Sequence, residues 1–242
     1  MEEGLPKGLA ITVDNKPLIH RQLAVFRNFK MPVVISFSNQ KSVKRFSKLV
    51  KNGVLPSSEY YIDNHSYNQK NKVIDVLRTS GPHRPWASNF DYVFMSAEDA
   101  YYGIEHMQEM ITFYERTGYN VLTVFQSEDY MLTAKTHPKF AYDDNSTLAE
   151  VSDSEYTLHE LFSSAPMLLT KAALDFYLAL PEYTYPSAFI RKALSSGHRF
   201  KVLKPDKFIN INWPEDYERL LTFSGRGART RTADLLLPKQ AR

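Results

Sequence analysis

Residues 91–102 read Asp-Tyr-Val-Phe-Met-Ser-Ala-Glu-Asp-Ala-Tyr-Tyr, and this stretch indicates both a fold and a candidate site. Asp91–Met95 is short and mostly apolar, with β-branched and aromatic residues, which is typical of a buried strand. Two adjacent carboxylates, Glu98 and Asp99, follow where that strand should end. Ligands of open α/β sheets bind outside the carboxyl ends of the strands, and divalent cations prefer oxygen ligands. The stretch therefore predicts a cation site, although the same two acids would also suit the first turn of a helix.

Strand-like and helix-like segments alternate on both sides of this stretch. Apolar, β-branched runs predict strands at residues 9–13, 33–37, 59–62, 91–95 and 120–125. Amphipathic spacing predicts helices that begin at Pro17 and that cover residues 40–52, 66–79 and 100–117. Such an alternation predicts an α/β fold with a mostly parallel central sheet and helices on both of its faces.

The carboxyl-terminal half of the chain is less regular. Residues 127–160 are polar and acid-rich, which leaves either a pair of antiparallel strands or an active-site flap open. Further strands are predicted at 166–169, 200–203 and 208–211, and helices at 171–180, 185–196 and 214–221. Glu105 and His106, in the helix predicted at 100–117, are interpreted as surface residues.

Composition excludes several classes of protein. The 242 residues contain no cysteine, which excludes disulfides and thiolate metal sites and favours a reducing compartment, so we expect a cytoplasmic protein. No apolar run approaches the ~18 residues that a membrane span requires. Residues 223–242 carry five basic residues and one acid, so residues 1–222 have a net charge of −1 although the whole chain has +3. The basic balance therefore gives no argument for nucleic-acid binding.

Three segments together resemble a known family. The first runs from Pro6-Lys7 to Lys16-Pro17-Leu18-Ile19, the second is 91–99, and the third is the run Phe-Ile-Asn-Ile-Asn-Trp-Pro-Glu-Asp-Tyr-Glu-Arg-Leu at 208–220. In this order they are similar to segments of the nucleotidyltransferase superfamily that makes nucleotide-activated sugars and related compounds. The third segment is most similar to the molybdenum-cofactor guanylyltransferase branch. Together the three segments cover residues 6–221.

The resemblance implies a Rossmann-like fold of the nucleotide-diphospho-sugar transferase type and a specific reaction. A nucleoside monophosphate would pass from a nucleoside triphosphate to a phosphorylated sugar or a similar small acceptor, and pyrophosphate would leave. By the same resemblance Lys7 and Glu98 are the catalytic residues, and Glu98 or Asp99 would hold Mg²⁺. Lys16 and Asn210 would contact the substrates, with Asn210 beside the metal.

The chain also departs from the family's pattern. The family begins with a strand and a Gly-rich loop whose backbone N–H groups hold the triphosphate, and Gly4 and Gly8 cannot form such a loop. We therefore expect residues 1–222 to form an N-terminally truncated nucleotidyltransferase-like domain. Residues 223–242 are predicted to be a disordered basic tail. The alternative is a degenerate, non-catalytic relative that is a binding module at most.

Overall fold

A computed structural model describes residues 5–37, 39–57, 60–64, 90–96, 100–125, 139–152, 161–180, 186–206, 208–211 and 214–223. The chain divides into two compact units. Unit 1 draws on residues 1–69, 98–101 and 209–242, and unit 2 draws on residues 70–97 and 102–208. The candidate residues at both ends of the chain therefore fall in the same unit.

The helices and strands of the described residues are as follows, in chain order: α1 Lys7–Ala10, β1 Thr12–Val13, β2 Lys16–Pro17, α2 Ile19–Asn28, β3 Val33–Phe37, α3 Gln40–Lys51, β4 Tyr60–Asn64, β5 Tyr92–Met95, β6 Ala100–Tyr102, α4 Ile104–Thr117, β7 Asn120–Phe125, β8 Lys139–Tyr142, β9 Leu148–Ser152, β10 Leu161–Thr170, α5 Lys171–Ala179, α6 Pro186–Ser195, β11 Phe200–Leu203, β12 Phe208–Asn210 and α7 Pro214–Phe223. None of these helices is long and apolar enough to span a membrane.

Three predicted elements need correction. The helix predicted to begin at Pro17 begins at Ile19, because Pro17 belongs to β2 and pairs there with Thr12. The strand predicted at 9–13 is instead a single helical turn, α1, followed by the two-residue strand β1, because the carbonyl of Pro6 accepts the amides of Leu9 and Ala10 at 3.0 Å. The helix predicted at 100–117 starts only at Ile104, since Gly103 has extended backbone and the residues before it form β6. The helix predicted at 66–79 lies outside the described residues.

Unit 2 is built on a mixed sheet of six strands, with the order β11-β7-β10-β8-β9 and with β5 paired to β10. Strands β7 and β11 are parallel, whereas β10 runs antiparallel to β5, β7 and β8. Strands β8 and β9 form an antiparallel pair, so the strand-pair interpretation of residues 127–160 is correct for its described part. The α/β class is confirmed, and the sheet is mixed rather than mostly parallel because the central strand β10 pairs antiparallel with each of its neighbours.

Helices cover both faces of this sheet. Leu122 and Val124 of β7 point to one face, which packs against α5 and α6 through Tyr177 and Phe189. Successive side chains of a strand point to opposite faces, so Thr123 belongs to the other face. Helix α4 lies on that other face, and the ring of its His106 forms a hydrogen bond with the hydroxyl of Thr123. All residues of β7 from 120 to 124 are buried, as expected for a central strand with two covered faces.

Unit 1 contains the parallel pair β3–β4 and the hairpin β1–β2. The hairpin turns at Asp14 and Asn15, whose φ angles of 55° and 61° are those of the tight turns that match the twist of two adjacent strands. Strands β6 and β12 pair with each other. The predicted absence of an initial strand and Gly-rich loop stays a prediction.

Candidate functional site

The two ends of the described chain pack against each other in unit 1. Ile11, Val13 and Leu18 share one apolar cluster with residues of β12 and α7. The residues contributed from the carboxyl-terminal side are Ile209, Ile211, Tyr217 and Leu220. The Tyr217 hydroxyl also donates a 3.0 Å hydrogen bond to the carbonyl of Thr12. The first and third of the family-like segments therefore pack together in one apolar cluster.

Lys7 is the candidate cation of this region. It opens α1 and is half-buried, and its Nζ donates a 2.8 Å hydrogen bond to the carbonyl of Ile211. Ile211 directly follows Asn210, the candidate at the end of β12. The bond joins residues 204 positions apart, so it places the lysine ammonium next to the backbone that carries Asn210.

The pairing of β6 with β12 brings the strand that follows the acidic segment next to the strand that ends in Asn210. Residues 100–101 of β6 and residues 209–210 of β12 belong to unit 1, and β6 begins one residue after Asp99. Glu98 and Asp99 themselves lie outside the described residues. Three elements thus converge in unit 1. They are α1 with Lys7, the part of β6 that follows Asp99, and the end of β12 at Asn210.

Lys16, the fourth predicted contact, lies in β2 and is exposed. Burial lowers the pKa of His20, and the positive charge of Lys16 lowers that pKa further. The structure therefore places Lys16 on the exposed side of the hairpin, in the strand β2 that lies beside α1.

A buried polar cluster that was not predicted from the sequence follows the carboxyl end of β5 in unit 2. Ser96, the residue after β5, shares a 2.5 Å hydrogen bond with the hydroxyl of Tyr102. Tyr102 is buried, and burial raises the pKa of its hydroxyl far above the usual value. This hydroxyl is therefore neutral at all ordinary pH values, and it fixes the chain on both sides of the candidate carboxylates.

His106 completes this cluster, which corrects its interpretation as a surface residue. The side chain is only 4% exposed, and its Nε2 lies 2.9 Å from the hydroxyl of Thr123. That hydroxyl donates to the carbonyl of Pro166 at 2.8 Å, so its oxygen accepts the proton of Nε2. His106 is buried because it shares one face of α4 with Met107, Met110 and Ile111, while Glu105 next to it is exposed. This helical spacing is the signal that could have identified it.

The electrostatics of His106 follow from its burial. Burial lowers its pKa to about 4, against a smaller opposing effect of the Asp206 carboxylate. The ring is therefore neutral near pH 7. Its Nδ1 is buried without a hydrogen-bond partner among the described residues. A neutral, tightly packed ring of this kind positions α4 on the sheet and is not placed to exchange protons with solvent.

The candidate ligand residues have the chemistry that a hard divalent cation requires. The candidates Glu98, Asp99 and Asn210 offer only oxygen donors and an amide, which fit Mg²⁺ better than a soft metal. Elsewhere in the described part of the chain, no group of three or more His, Asp or Glu side chains could hold a metal ion. The candidate carboxylates that follow β5 thus stay the predicted metal ligands.

The fold and the converging segments define a class of protein. No protein-family model matches the sequence, and no curated protein matches it significantly. Solved structures do match, and they are nucleotidyltransferases of the nucleotide-diphospho-sugar transferase type, as the resemblance implied. The chain has the fold of that type.

Three of these structures illustrate the match. The inositol-1-phosphate CTP transferase of T. maritima superposes with a TM-score of 0.67 at 15% identity, over 95% of this chain and 91% of that one. The CMP:2-keto-3-deoxy-manno-octonic acid synthetase complexed with CTP gives a TM-score of 0.62 at 11% identity, over 91% of this chain and 92% of the other. An apo UDP-glucose pyrophosphorylase gives 0.63 at 11% identity, over 91% of each chain.

Proposed function

We propose that this protein is a nucleotidyltransferase that transfers a nucleoside monophosphate from a nucleoside triphosphate to a phosphorylated sugar or a similar small acceptor. One observation carries the proposal. Lys7, the strand that follows Glu98 and Asp99, and the strand that ends in Asn210 converge in unit 1 of a fold shared with such enzymes.

The reaction assigns a role to each converging segment. A phosphate oxygen of the acceptor attacks the α-phosphorus of the nucleotide, and the bond to the β-phosphate breaks as pyrophosphate leaves. Lys7 stabilises the negative charge that accumulates on the phosphates, as a fixed ammonium at the mouth of the site. Asn210 orients the nucleotide beside the acids, and Lys16 contacts a substrate phosphate.

Glu98 and Asp99 would hold Mg²⁺. When bound, the ion supplies charge neutralisation and alignment for the triphosphate, which is most of what catalysis of phosphoryl transfer requires. The hydrogen bond between Ser96 and Tyr102 supports this role, because it ties together the two residues that flank the acidic segment.

The experiment measures pyrophosphate release by the purified chain, with each of the common nucleoside triphosphates, a panel of sugar 1-phosphates and other phosphorylated acceptors, and MgCl₂. Release with one nucleotide and one acceptor supports the proposal. Removal of one charged group that acts on the transition state lowers rates by about a hundredfold or more, and we expect this of Glu98→Gln and of Lys7→Met.

Matched controls separate the site from general effects. Glu109→Gln removes an exposed acid of α4, and Lys192→Met removes an exposed lysine of α6, so neither should change the rate. If the double variant Glu98→Gln, Asp99→Asn is as active as the parent, the site assignment is wrong. If no combination of substrates gives release above background, the chain is a non-catalytic relative, which is the alternative to an enzyme.

A further inference from the structure

A groove of about 700 Å³ lies in unit 2. It is formed where β7 and β11 begin, by the last turn of α4 and by the loop between β8 and β9. Three of its lining residues are cations, Arg116, Arg199 and Lys201, and none is an acid. The groove also contains the rings of Phe113 and Tyr119.

Aromatic rings hold the two guanidinium groups in place. The guanidinium of Arg199 lies 5.8 Å from the ring centroid of Tyr119, and its Nη1 donates a 2.9 Å hydrogen bond to the hydroxyl of the same tyrosine. The guanidinium of Arg116 lies 5.3 Å from the ring centroid of Phe113. A guanidinium fixed by a ring loses less conformational freedom when it binds a ligand.

Lys201 forms the floor of the groove. It is only 9% exposed, and its Nζ donates to the carbonyl of Asn145 in the β8–β9 loop. The carboxylate of Asp143, in the same loop, accepts the amides of Thr147 at 2.7 Å and of Asn145 at 2.9 Å. These backbone hydrogen bonds, with a smaller contribution from Lys201, lower the pKa of Asp143. This carboxylate therefore stays ionised and bonded to its own loop, and the three cations of the groove outnumber it.

The groove is lined by residues other than the candidates of unit 1. Its lining contains none of Lys7, Lys16, Glu98, Asp99 and Asn210. Strand β5 is antiparallel to β10, and β10 is antiparallel to β7, so β5 and β7 point the same way within unit 2. The groove surrounds the start of β7, whereas Ser96 follows the end of β5.

We propose that this groove is a binding site for the phosphate group of a small phosphorylated ligand. Two ring-fixed arginines and a buried lysine offer the planar forks and the point charge that recognise phosphate oxygens. Arg116, in the last turn of α4, complements the negative end of the helix dipole. The dipole does not account for the two further cations, Arg199 and Lys201. Thr147 and Asn145 add polar groups at the rim.

The test uses inorganic pyrophosphate as the probe, with EDTA present and at constant ionic strength, and it follows the backbone amides of the intact chain by NMR. We expect saturable shifts at Tyr119, Thr147 and Lys201. The double variant Arg116→Gln, Arg199→Gln should weaken this binding at least about tenfold, because each charge-assisted hydrogen bond contributes strongly to affinity. Lys192→Gln, at an exposed site on α6, should leave it unchanged.

Four further outcomes decide the proposal. The shifts should persist in the variant Glu98→Gln, Asp99→Asn, so that loss of nucleotidyl transfer and loss of anion binding are distinguishable. If the shifts map to residues 7–18 and 209–211 instead, or if Lys192→Gln weakens binding as much as the arginine variant does, the groove is not the site. Absence of saturable shifts at millimolar pyrophosphate would also overturn it.

Discussion

Unit 2 and unit 1 are assembled in different ways. The core of unit 2 comes from segments between residues 92 and 203, and it is dense in fully buried side chains such as Phe189 and Leu122. Unit 1 joins residues 7–18 to residues 209–220, with one hydrogen bond across 204 positions and another across 205. Closing so long a connection costs conformational entropy before any contact forms. The core of unit 2 thus forms from nearby segments, whereas the candidate site of unit 1 depends on contacts between distant ones.

The largest effect should come from the core of unit 2. Phe189 is fully buried, with its ring stacked on Tyr177 at 4.0 Å and edge-on to Phe200 at 6.3 Å. Phe189→Ala leaves a cavity in this cluster, and such truncations cost about 3–5 kcal/mol. Urea denaturation measures the loss, and hydrogen exchange should locate it in β7 and β10.

Phe90→Ala is the matched control, since Phe90 is 37% exposed and its truncation should cost under about 1 kcal/mol. If both variants were equally stable, the dense core assigned to unit 2 would be wrong.

The second effect is a pH dependence that belongs to His106. Its folded pKa of about 4 lies below the unfolded value of 6.5, so both states are neutral above pH 6.5 and the ring then has no effect on stability. As the pH falls towards 4, the unfolded chain takes up a proton that the folded chain excludes. The free energy of unfolding should therefore fall by roughly 3 kcal/mol between pH 6.5 and 4.

The variant His106→Gln isolates this contribution. The variant lacks the ring, so its free energy of unfolding does not include this pH-dependent loss. Between pH 6.5 and 4 the free energy of unfolding of the parent should therefore fall by roughly 3 kcal/mol more than that of the variant. Denaturation midpoints at half-unit pH steps give the comparison. A constant difference between the two proteins from pH 7 to pH 4 would show that the ring is not buried as described.

Local pattern predicted the elements of both units better than it predicted their contacts. The helix that ends at Gly118, with its φ of 68°, was predicted from amphipathic spacing and a terminal glycine. The burial of His106 was missed because one polar residue on an apolar face reads like a surface residue. The bond from Lys7 to Ile211 was beyond local reasoning, since nothing near either residue specifies a partner 204 positions away. The segments around Lys7 and around Ile211 were connected only by their similarity to segments of one family.

The smallest effect tests the long-range closure of unit 1. Tyr217→Phe removes the hydroxyl that donates to the carbonyl of Thr12 at 3.0 Å and leaves the ring in its apolar cluster. A hydrogen bond of this kind contributes about 1 kcal/mol. Tyr114→Phe is the matched control in unit 2, because its bond to the carbonyl of Asp91 is 3.3 Å long and exposed, and its loss should change stability by less than about 0.5 kcal/mol. Hydrogen exchange should show the Tyr217→Phe loss at residues 11–18 and leave β7 protected. If instead Tyr114→Phe were the more costly change, the closure between the chain's two ends would contribute less to the fold than these contacts indicate.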